Sequence, residues 1–125
     1  MRCADVMTTA AVTVRTDDAV ALAYRRMKTE DVGFLPVCDP NGAVVGFVTE
    51  QHLTRVVVTE SIGPATPVEL VMGRDVHTCS PDDDISVAER GIVEHPGRCA
   101  VCVGPAGEVL GVIGATDVAR GRPPG

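Results

Sequence analysis

Two stretches of the chain combine groups that suit the binding of a phosphorylated nucleoside. The first reads Gly46-Phe-Val-Thr49-Glu-Gln-His52, and the second, 65 residues later, reads Gly111-Val-Ile-Gly114-Ala-Thr-Asp117. Each leads from an apolar run into a predicted helix, whose start presents free N–H groups and a positive dipole end to a phosphate. A hydroxyl at that point adds a donor to the phosphate. A carboxylate one turn later can accept hydrogen bonds from both ribose hydroxyls.

The two stretches divide these groups between them. The first has the hydroxyl, Thr49, but has His52 where the second has a carboxylate. The second has the carboxylate, Asp117, but has Gly114 in place of the hydroxyl, with Thr116 nearby as another hydroxyl. Asp117 is the stronger ligand candidate, because an ionised acceptor selects a vicinal diol. The other interpretation is that Thr49 and Asp117 only cap helix starts.

Further candidate ligands flank these positions. Arg55 and Arg120 each lie one helical turn after the motif, where a guanidinium can reach a phosphate or can interact with the last turn of a short helix. His52 either bonds a ribose or phosphate, or is a partly exposed helix residue. The first strand of each half, with Val14 and Cys79, is expected to supply backbone groups and apolar walls for a base.

Both stretches belong to an internal repeat. Shifting the chain by 65 residues aligns its two halves without a gap from Val6 to Arg55. A repeat of this length predicts two similar supersecondary units, each too small to bury its apolar face alone. We expect the repeats at residues 1–60 and 68–120, with a Gly- and Pro-punctuated linker at 61–67 and a flexible tail at 121–125.

The hydrophobic period predicts the order β-α-β-β-α in each repeat. The predicted elements of the first repeat are a strand at 12–14, a helix from Val20, strands at 34–38 and 43–48, and a helix at 50–58. Those of the second are a strand at 77–79, a helix from Ile85, strands at 99–103 and 108–113, and a helix at 115–120. Asp17-Asp18 and the run Asp82–Asp84 are expected to cap the first helix of each repeat rather than to hold a metal.

Short motifs accompany these elements in the same order in both halves. They are Val6-Met7, Leu35-Pro-Val, Asp39-x-x-Gly42 and Gly46–Thr49, and then Val71-Met72, Pro105-x-Gly107 and Gly111–Asp117. This arrangement resembles the CBS domain, and two in tandem resemble a Bateman module. The resemblance implies an α/β (α+β) fold of two β-α-β-β-α repeats packed about a pseudo-twofold axis. It also implies dimer formation, an adenosine-containing ligand in a cleft between the repeats, and no enzymatic activity.

Composition excludes several classes of function. The formal net charge of −6 and the absence of a basic run argue against binding to nucleic acid. No apolar segment approaches the roughly 18 residues needed to span a membrane, and the chain starts without a secretory signal, so we expect a cytoplasmic protein. Aromatic residues make up only 2% of the chain, and Tyr24, Phe34 and Phe47 are expected in the core rather than in a stacking platform.

Five cysteines, an odd number, argue against a disulfide framework in a cytoplasmic chain. Cys99 and Cys102 form a C-x-x-C motif, but on a predicted strand residues three apart point to opposite faces and cannot bind one ion. No second ligand pair completes a metal set. We therefore expect no metal and interpret the cysteines as small core residues.

Two functions remain after this survey. The first is a stand-alone regulatory module that binds AMP, ADP, ATP or S-adenosylmethionine and signals through a homodimer or an unknown effector protein. The second is a degenerate pair that serves as a dimerisation or docking module without a nucleotide. An enzyme is not expected, because no catalytic triad, P-loop or G-x-G-x-x-G fingerprint is present.

Overall fold

The computed structural model describes residues 1–9, 11–95 and 97–121, and of Arg120 and Gly121 only the backbone. These residues form two compact units. The central unit is Val12–Asp75, and the terminal unit combines Met1–Ala11 with Val76–Gly125. Residues 122–125 of the predicted tail lie outside the described residues. No helix in the described part of the chain is long and apolar enough to cross a membrane.

The two units have the same strands and α-helices in the same order, and each adds a 3-10 helix, at the end of the central unit and at the start of the terminal unit. The central unit contains β1 (Val14–Arg15), α1 (Val20–Glu30), β2 (Phe34–Cys38), β3 (Val44–Thr49), α2 (Glu50–Thr59) and a 3-10 helix (Val68–Leu70). The terminal unit contains a 3-10 helix (Cys3–Asp5), β4 (Thr78–Cys79), α3 (Ile85–Glu94), β5 (Cys99–Val103), β6 (Val109–Gly114) and α4 (Ala115–Gly121). The predicted mixed α/β fold and the order β-α-β-β-α are confirmed, with element ends displaced by one or two residues.

Each unit has a three-stranded sheet with its first strand parallel and its last strand antiparallel to the middle one. The registers match across the repeat: Val14 pairs with Val37, and Cys79 pairs with Cys102. Both hairpins close on a glycine with positive φ, Gly42 (90°) or Gly107 (81°), a conformation that side chains rarely adopt.

The first helix of the central unit buries the predicted apolar stripe. Val20, Ala23 and Met27 are each at most 1% exposed. Tyr24 follows Ala23 on the edge of that stripe and is 39% exposed, so its expected place in the core is wrong. At the edge its ring lies 5.3 Å from the Lys28 ammonium and its hydroxyl can reach water. Phe47 is buried and stacks on half-buried Phe34 at a centroid distance of 5.5 Å.

The two first helices begin differently. Asp84 caps α3 as expected, accepting a hydrogen bond from the Ser86 amide at 3.1 Å. The expected cap of α1 by Asp17-Asp18 is wrong, because the helix begins after Ala19 and has no side-chain cap. The Asp18 carboxylate instead accepts from the Arg15 amide at 2.8 Å and closes the turn before the helix.

Carbonyl groups of the predicted linker satisfy the first amides of α1. The Val20 amide donates to the carbonyl of Thr66 at 2.8 Å, and the Ala21 amide donates to that of Pro64 at 3.0 Å. In the terminal unit the Ile85 amide, which opens α3, donates to the carbonyl of Met1 at 2.9 Å. The linker therefore does more than connect the repeats, because its carbonyl groups are hydrogen-bonded to the N-terminus of α1.

Each unit is completed by residues from the start of the other sequence repeat. In the central unit the Val68 amide donates to the Asp18 carbonyl at 2.8 Å, and Phe47 and Gly73 exchange two backbone bonds of 2.9 Å. The terminal unit repeats this 65 positions away, with a Cys3 to Asp83 bond of 2.9 Å and a Thr8–Val112 pair of 2.9 and 3.2 Å. The predicted boundaries describe the sequence repeats, whereas each compact unit includes the first residues of the other repeat.

Gly91 of α3 faces the imidazole of His77, whose Nε2 donates to the Val87 carbonyl at 2.7 Å. A Cβ on Gly91 would overlap this ring. We expect Gly91→Ala to lower the free energy of unfolding by about 1–3 kcal/mol through overpacking, despite the higher helix propensity of alanine. Urea denaturation measures this. Gly33→Ala is the control, since its Cβ meets nothing within 4 Å, and equal stability of both variants would contradict the proposed clash.

Candidate functional site

The two motif stretches have the same local structure in their own units. In each, the last strand of the sheet runs directly into the last helix, β3 into α2 and β6 into α4. Thr49 is the N-cap residue of α2, and Gly114 is the residue before α4. The candidate side chains therefore lie at helix starts, as the sequence predicts.

In the central unit the Thr49 hydroxyl is part of the helix cap. Its oxygen accepts a hydrogen bond from the His52 amide at 3.1 Å. The capping interpretation of Thr49 is thus correct, but it does not exclude ligand binding, because a hydroxyl that accepts one bond can donate another. Thr49 is half-buried.

His52 is fixed by two hydrogen bonds that use both ring nitrogens. Its Nε2 lies 2.6 Å from the Val71 carbonyl, to which it must donate. Its Nδ1 then accepts from Nη2 of Arg55 at 3.0 Å. The ring holds the start of α2 to the segment that contains Val71, and neither nitrogen is directed at a ligand.

Arg55 lies on the same helix face as His52, as its spacing predicts. Its guanidinium also pairs with the Glu60 carboxylate at 3.6 Å, and the side chain is 59% exposed. An exposed ion pair of this kind contributes little to stability, so a phosphate can replace Glu60 at small cost. Of the sequence candidates in the central unit, Thr49 and Arg55 thus remain able to bind an anion. The side chain of Arg120, the matching residue, lies outside the described residues.

In the terminal unit the Asp117 carboxylate turns back onto the start of its own helix. Its Oδ2 accepts from the Gly114 amide at 2.8 Å, and its Oδ1 accepts from the Thr8 hydroxyl at 3.3 Å. The Gly114 amide is therefore already paired and is not a vacant phosphate donor. Thr8 was not a sequence candidate, and no motif points to it, because it comes from the distant segment that completes the unit. Thr116 is exposed on the first turn of α4.

Cys99 lies beside this carboxylate and was not predicted as part of the site. A Cβ built on Gly114 would lie 3.6 Å from its Sγ and 3.8 Å from Oδ2 of Asp117, which is ordinary contact. Burial, followed by the negative charge of Asp117, raises the pKa of Cys99 to about 11. The thiol is therefore neutral at physiological pH and forms an uncharged wall next to the carboxylate.

The side chains of Val14 and Cys79 are buried, with 1% and 5% of their surface exposed. They contribute to the cores of their units, so only their backbone groups can reach a ligand. An open pocket of about 610 Å³ lies over the end of β4 in the terminal unit. It is lined by Thr78, Cys79, Ser80, Pro81, Asp82, Asp83, Val103, Gly104, Pro105 and Leu110. Asp117 is not among these residues.

Substitutions of Thr49 test how much its capping hydrogen bond contributes to the stability of the fold. Thr49→Ala leaves the His52 amide without its acceptor and should lower the free energy of unfolding by about 1 kcal/mol, while Thr49→Ser should retain most of it. Thr59→Ala, the same change at the exposed last residue of α2, serves as the control and should be neutral or slightly stabilising. Chemical denaturation checks all three, and equal loss in the alanine and serine variants would contradict the capping role.

Comparison with known proteins identifies the repeats. The family model of the CBS domain matches residues 3–59 and again 68–123. A homoserine O-acetyltransferase of Methanococcoides burtonii is 31% identical over 117 residues, which are 94% of this chain but only 23% of the relative. The chain thus spans about a quarter of that protein.

Solved structures show the same fold. The CBS domain pair of protein MJ0100, in complex with 5′-methylthioadenosine and S-adenosyl-L-methionine, superposes with a TM-score of 0.84 at 18% identity, covering 96% of this chain and 94% of that one. CBSX2 in complex with AMP superposes with a TM-score of 0.81 at 21% identity, covering 95% and 93%. At these identities the likeness establishes the fold.

Proposed function

Because the chain belongs to the CBS domain family, as a tandem pair, we propose that it is a regulatory module that binds an adenosine-containing ligand. The observation that carries the proposal is the half-buried carboxylate of Asp117, held at a helix start by Gly114 and only loosely by Thr8. Two structural neighbours were solved with adenosine-type ligands, 5′-methylthioadenosine with S-adenosyl-L-methionine in one case and AMP in the other. Their common part is the nucleoside, which is the part a carboxylate recognises.

Asp117 recognises the ribose by an exchange of hydrogen bonds. Its Oδ2 keeps the 2.8 Å bond to the Gly114 amide, which fixes the carboxylate, while Oδ1 has only the 3.3 Å bond from Thr8. The two hydroxyls of a ribose are better donors in this geometry and replace Thr8. Thr8 is then released from the carboxylate, so ligand binding is communicated to the segment that contains it.

The central unit supplies groups for phosphate rather than for ribose. It has His52 in place of the carboxylate, and that ring is occupied by Val71 and Arg55. The Thr49 hydroxyl and the exposed Arg55 guanidinium remain available to an anion. The ligand class of the terminal unit is therefore a nucleoside with a free 2′,3′-diol, whereas the candidate groups of the central unit suit an anion.

The module acts by binding and not by catalysis. Curated relatives of the homoserine O-acetyltransferase type are about four times longer than the matched region, so this region is a minor part of those proteins. A ligand regulates such a module only if it binds one conformation more tightly than another. The signal then passes to a second copy of the chain or to an effector protein.

A thermal-shift panel of AMP, ADP, ATP, S-adenosylmethionine and 5′-methylthioadenosine tests ligand binding. We expect ligands with the ribose diol to raise the melting temperature, and 2′,3′-dideoxyadenosine to have no effect. Asp117→Asn keeps an acceptor but removes the charge, and should weaken binding about tenfold or more. The comparison uses the ligand-induced shift, because the substitution also affects the helix start.

Glu30→Gln removes an exposed carboxylate of the central unit and should leave every shift unchanged. If no ligand raises the melting temperature at millimolar concentration, the sensor is excluded. If Asp117→Asn responds as the native chain does, a nucleotide binds elsewhere.

A second candidate function, dimerisation or docking without a nucleotide, is favoured by an apolar groove of the central unit. The groove has a volume of about 290 Å³ and is lined by Val20, Ala21, Tyr24, Leu53, Thr54, Val57, Val58 and Pro64. Val57 and Val58 are 41% and 75% exposed, although both are apolar. Adjacent exposed apolar residues on one helix are typical of a surface that another protein covers.

We expect the chain to be a homodimer in light scattering at micromolar concentration, and Val58→Glu to convert it to a monomer by placing a charge in the apolar contact. Leu70→Glu is the control, because Leu70 is also 75% exposed but lies outside the groove. A monomeric native chain, or a Val58→Glu variant that remains dimeric, would contradict the role of this groove.

A further inference from the structure

Three cysteine side chains converge in the core of the terminal unit. Cys3 comes from the first 3-10 helix, Cys79 from β4 and Cys102 from β5, and their Sγ atoms all lie within 4.8 Å of one another. The closest pair is Cys79–Cys102, with a sulfur–sulfur distance of 3.2 Å. We propose that these thiols form a binding site for one soft metal ion, and that Cu(I) is the ion that fits it best.

The repeat shows that the fold does not need cysteine at these positions. The 65-residue offset aligns Cys3, Cys79 and Cys102 with Val68, Val14 and Val37 of the central unit. The three valines are at most 1% exposed and occupy the corresponding elements, with Val14 paired to Val37 as Cys79 is paired to Cys102. Apolar side chains thus suffice to fill this part of the core. The terminal unit has a thiol at all three positions.

The donor set selects the metal. Among the residues that the structure describes, no fourth His, Cys, Asp or Glu joins the three sulfurs. Structural zinc is almost always bound by four ligands, whereas soft thiolate sets also accept Cu(I). Three sulfurs that each lie about 2.3 Å from one ion are about 4 Å apart, so the observed separations require only small movements.

Binding exchanges protons for the metal, and no electron is transferred. Each coordinating thiol loses one proton to solvent as its bond to Cu(I) forms. Burial raises the pKa of Cys3, and the hydrogen bond to Cys102 together with burial raises that of Cys79. Because protons compete with the metal, the affinity must increase as the pH rises.

The proposed site joins three distant parts of the sequence. Cys3 lies in the segment that is attached to the unit by backbone bonds from Cys3 to Asp83 and from Ala4 to Pro81, each 2.9 Å. A metal that also bonds to the Cys3 sulfur would tie this segment to β4 and β5. Since the unfolded chain does not hold the three sulfurs together, the bound ion must stabilise the folded state.

The test titrates the reduced, metal-free chain with Cu(I) under anaerobic conditions, against bathocuproine disulfonate as a competing chelator. We expect one Cu(I) per chain, three sulfur neighbours in X-ray absorption, a higher melting temperature, and an affinity that increases at least tenfold per pH unit near neutrality. A parallel titration uses Zn²⁺. Retention of Zn²⁺ but not Cu(I) would overturn the assignment of the ion.

The matched variant changes Cys3→Val, Cys79→Val and Cys102→Val together, which reproduces the valine set of the central unit. It should fold and lose Cu(I) binding, and Cys102→Ala provides a smaller change if the triple variant fails to fold. Cys99→Ala, on the same strand but outside the group, should retain the metal. Equal Cu(I) binding by the triple variant, or by Cys102→Ala, would refute the site. The absence of bound metal would also refute the site, whether or not Cys79 and Cys102 form a reversible disulfide.

Discussion

The structure depends on backbone hydrogen bonds between each repeat and a segment at, or just before, the start of the other repeat. The first amides of a helix have no partners within the helix and require acceptors from elsewhere. The backbone groups of a buried sheet edge likewise require partners from another segment. In the central unit the carbonyls of Pro64 and Thr66 meet the first requirement, and Gly73 meets the second. The terminal unit meets them with residues before Ala11. Neither repeat is therefore complete with its own contiguous sequence.

This constraint also shapes the candidate site. The residues at the helix starts serve the backbone before any ligand arrives: Thr49 caps α2, and Asp117 accepts from Gly114. Capping and ligand binding are compatible, because one oxygen can hold the helix while the other receives a ribose hydroxyl. The loss of Thr at one motif and of Asp at the other leaves each unit with half of the recognition chemistry. The two units are thus expected to differ in ligand preference even though they share one fold.

Much of the fold was predictable, because hydrophobic period and the repeat report on local structure and each supports the other. The caps of the first helices were less predictable. Asp84 caps α3, whereas the Asp18 carboxylate accepts from the Arg15 amide and linker carbonyls bind the first amides of α1. That choice depends on long-range packing. The candidate site likewise has a local part and a long-range part. Thr49 and Asp117 lie where the motif predicts, whereas Thr8 and Cys99 join the site through tertiary contacts that no local pattern indicates. The convergence of Cys3, Cys79 and Cys102 was not predicted, because these residues are far apart in sequence and the C-x-x-C motif pairs Cys102 with Cys99 instead.

The discontinuity of the terminal unit has a consequence for the order of events on the ribosome. Residues 12–75 form a continuous segment, so all partners within the central unit have been synthesised before Val76 is added. The segment Met1–Ala11 is synthesised before the central unit, yet its backbone groups find their partners only once residues 81–85 and Val112 have been added. Because chains emerge from the N-terminal end and compact units fold as they are completed, the central unit folds before the terminal unit, although part of the terminal unit is synthesised earlier.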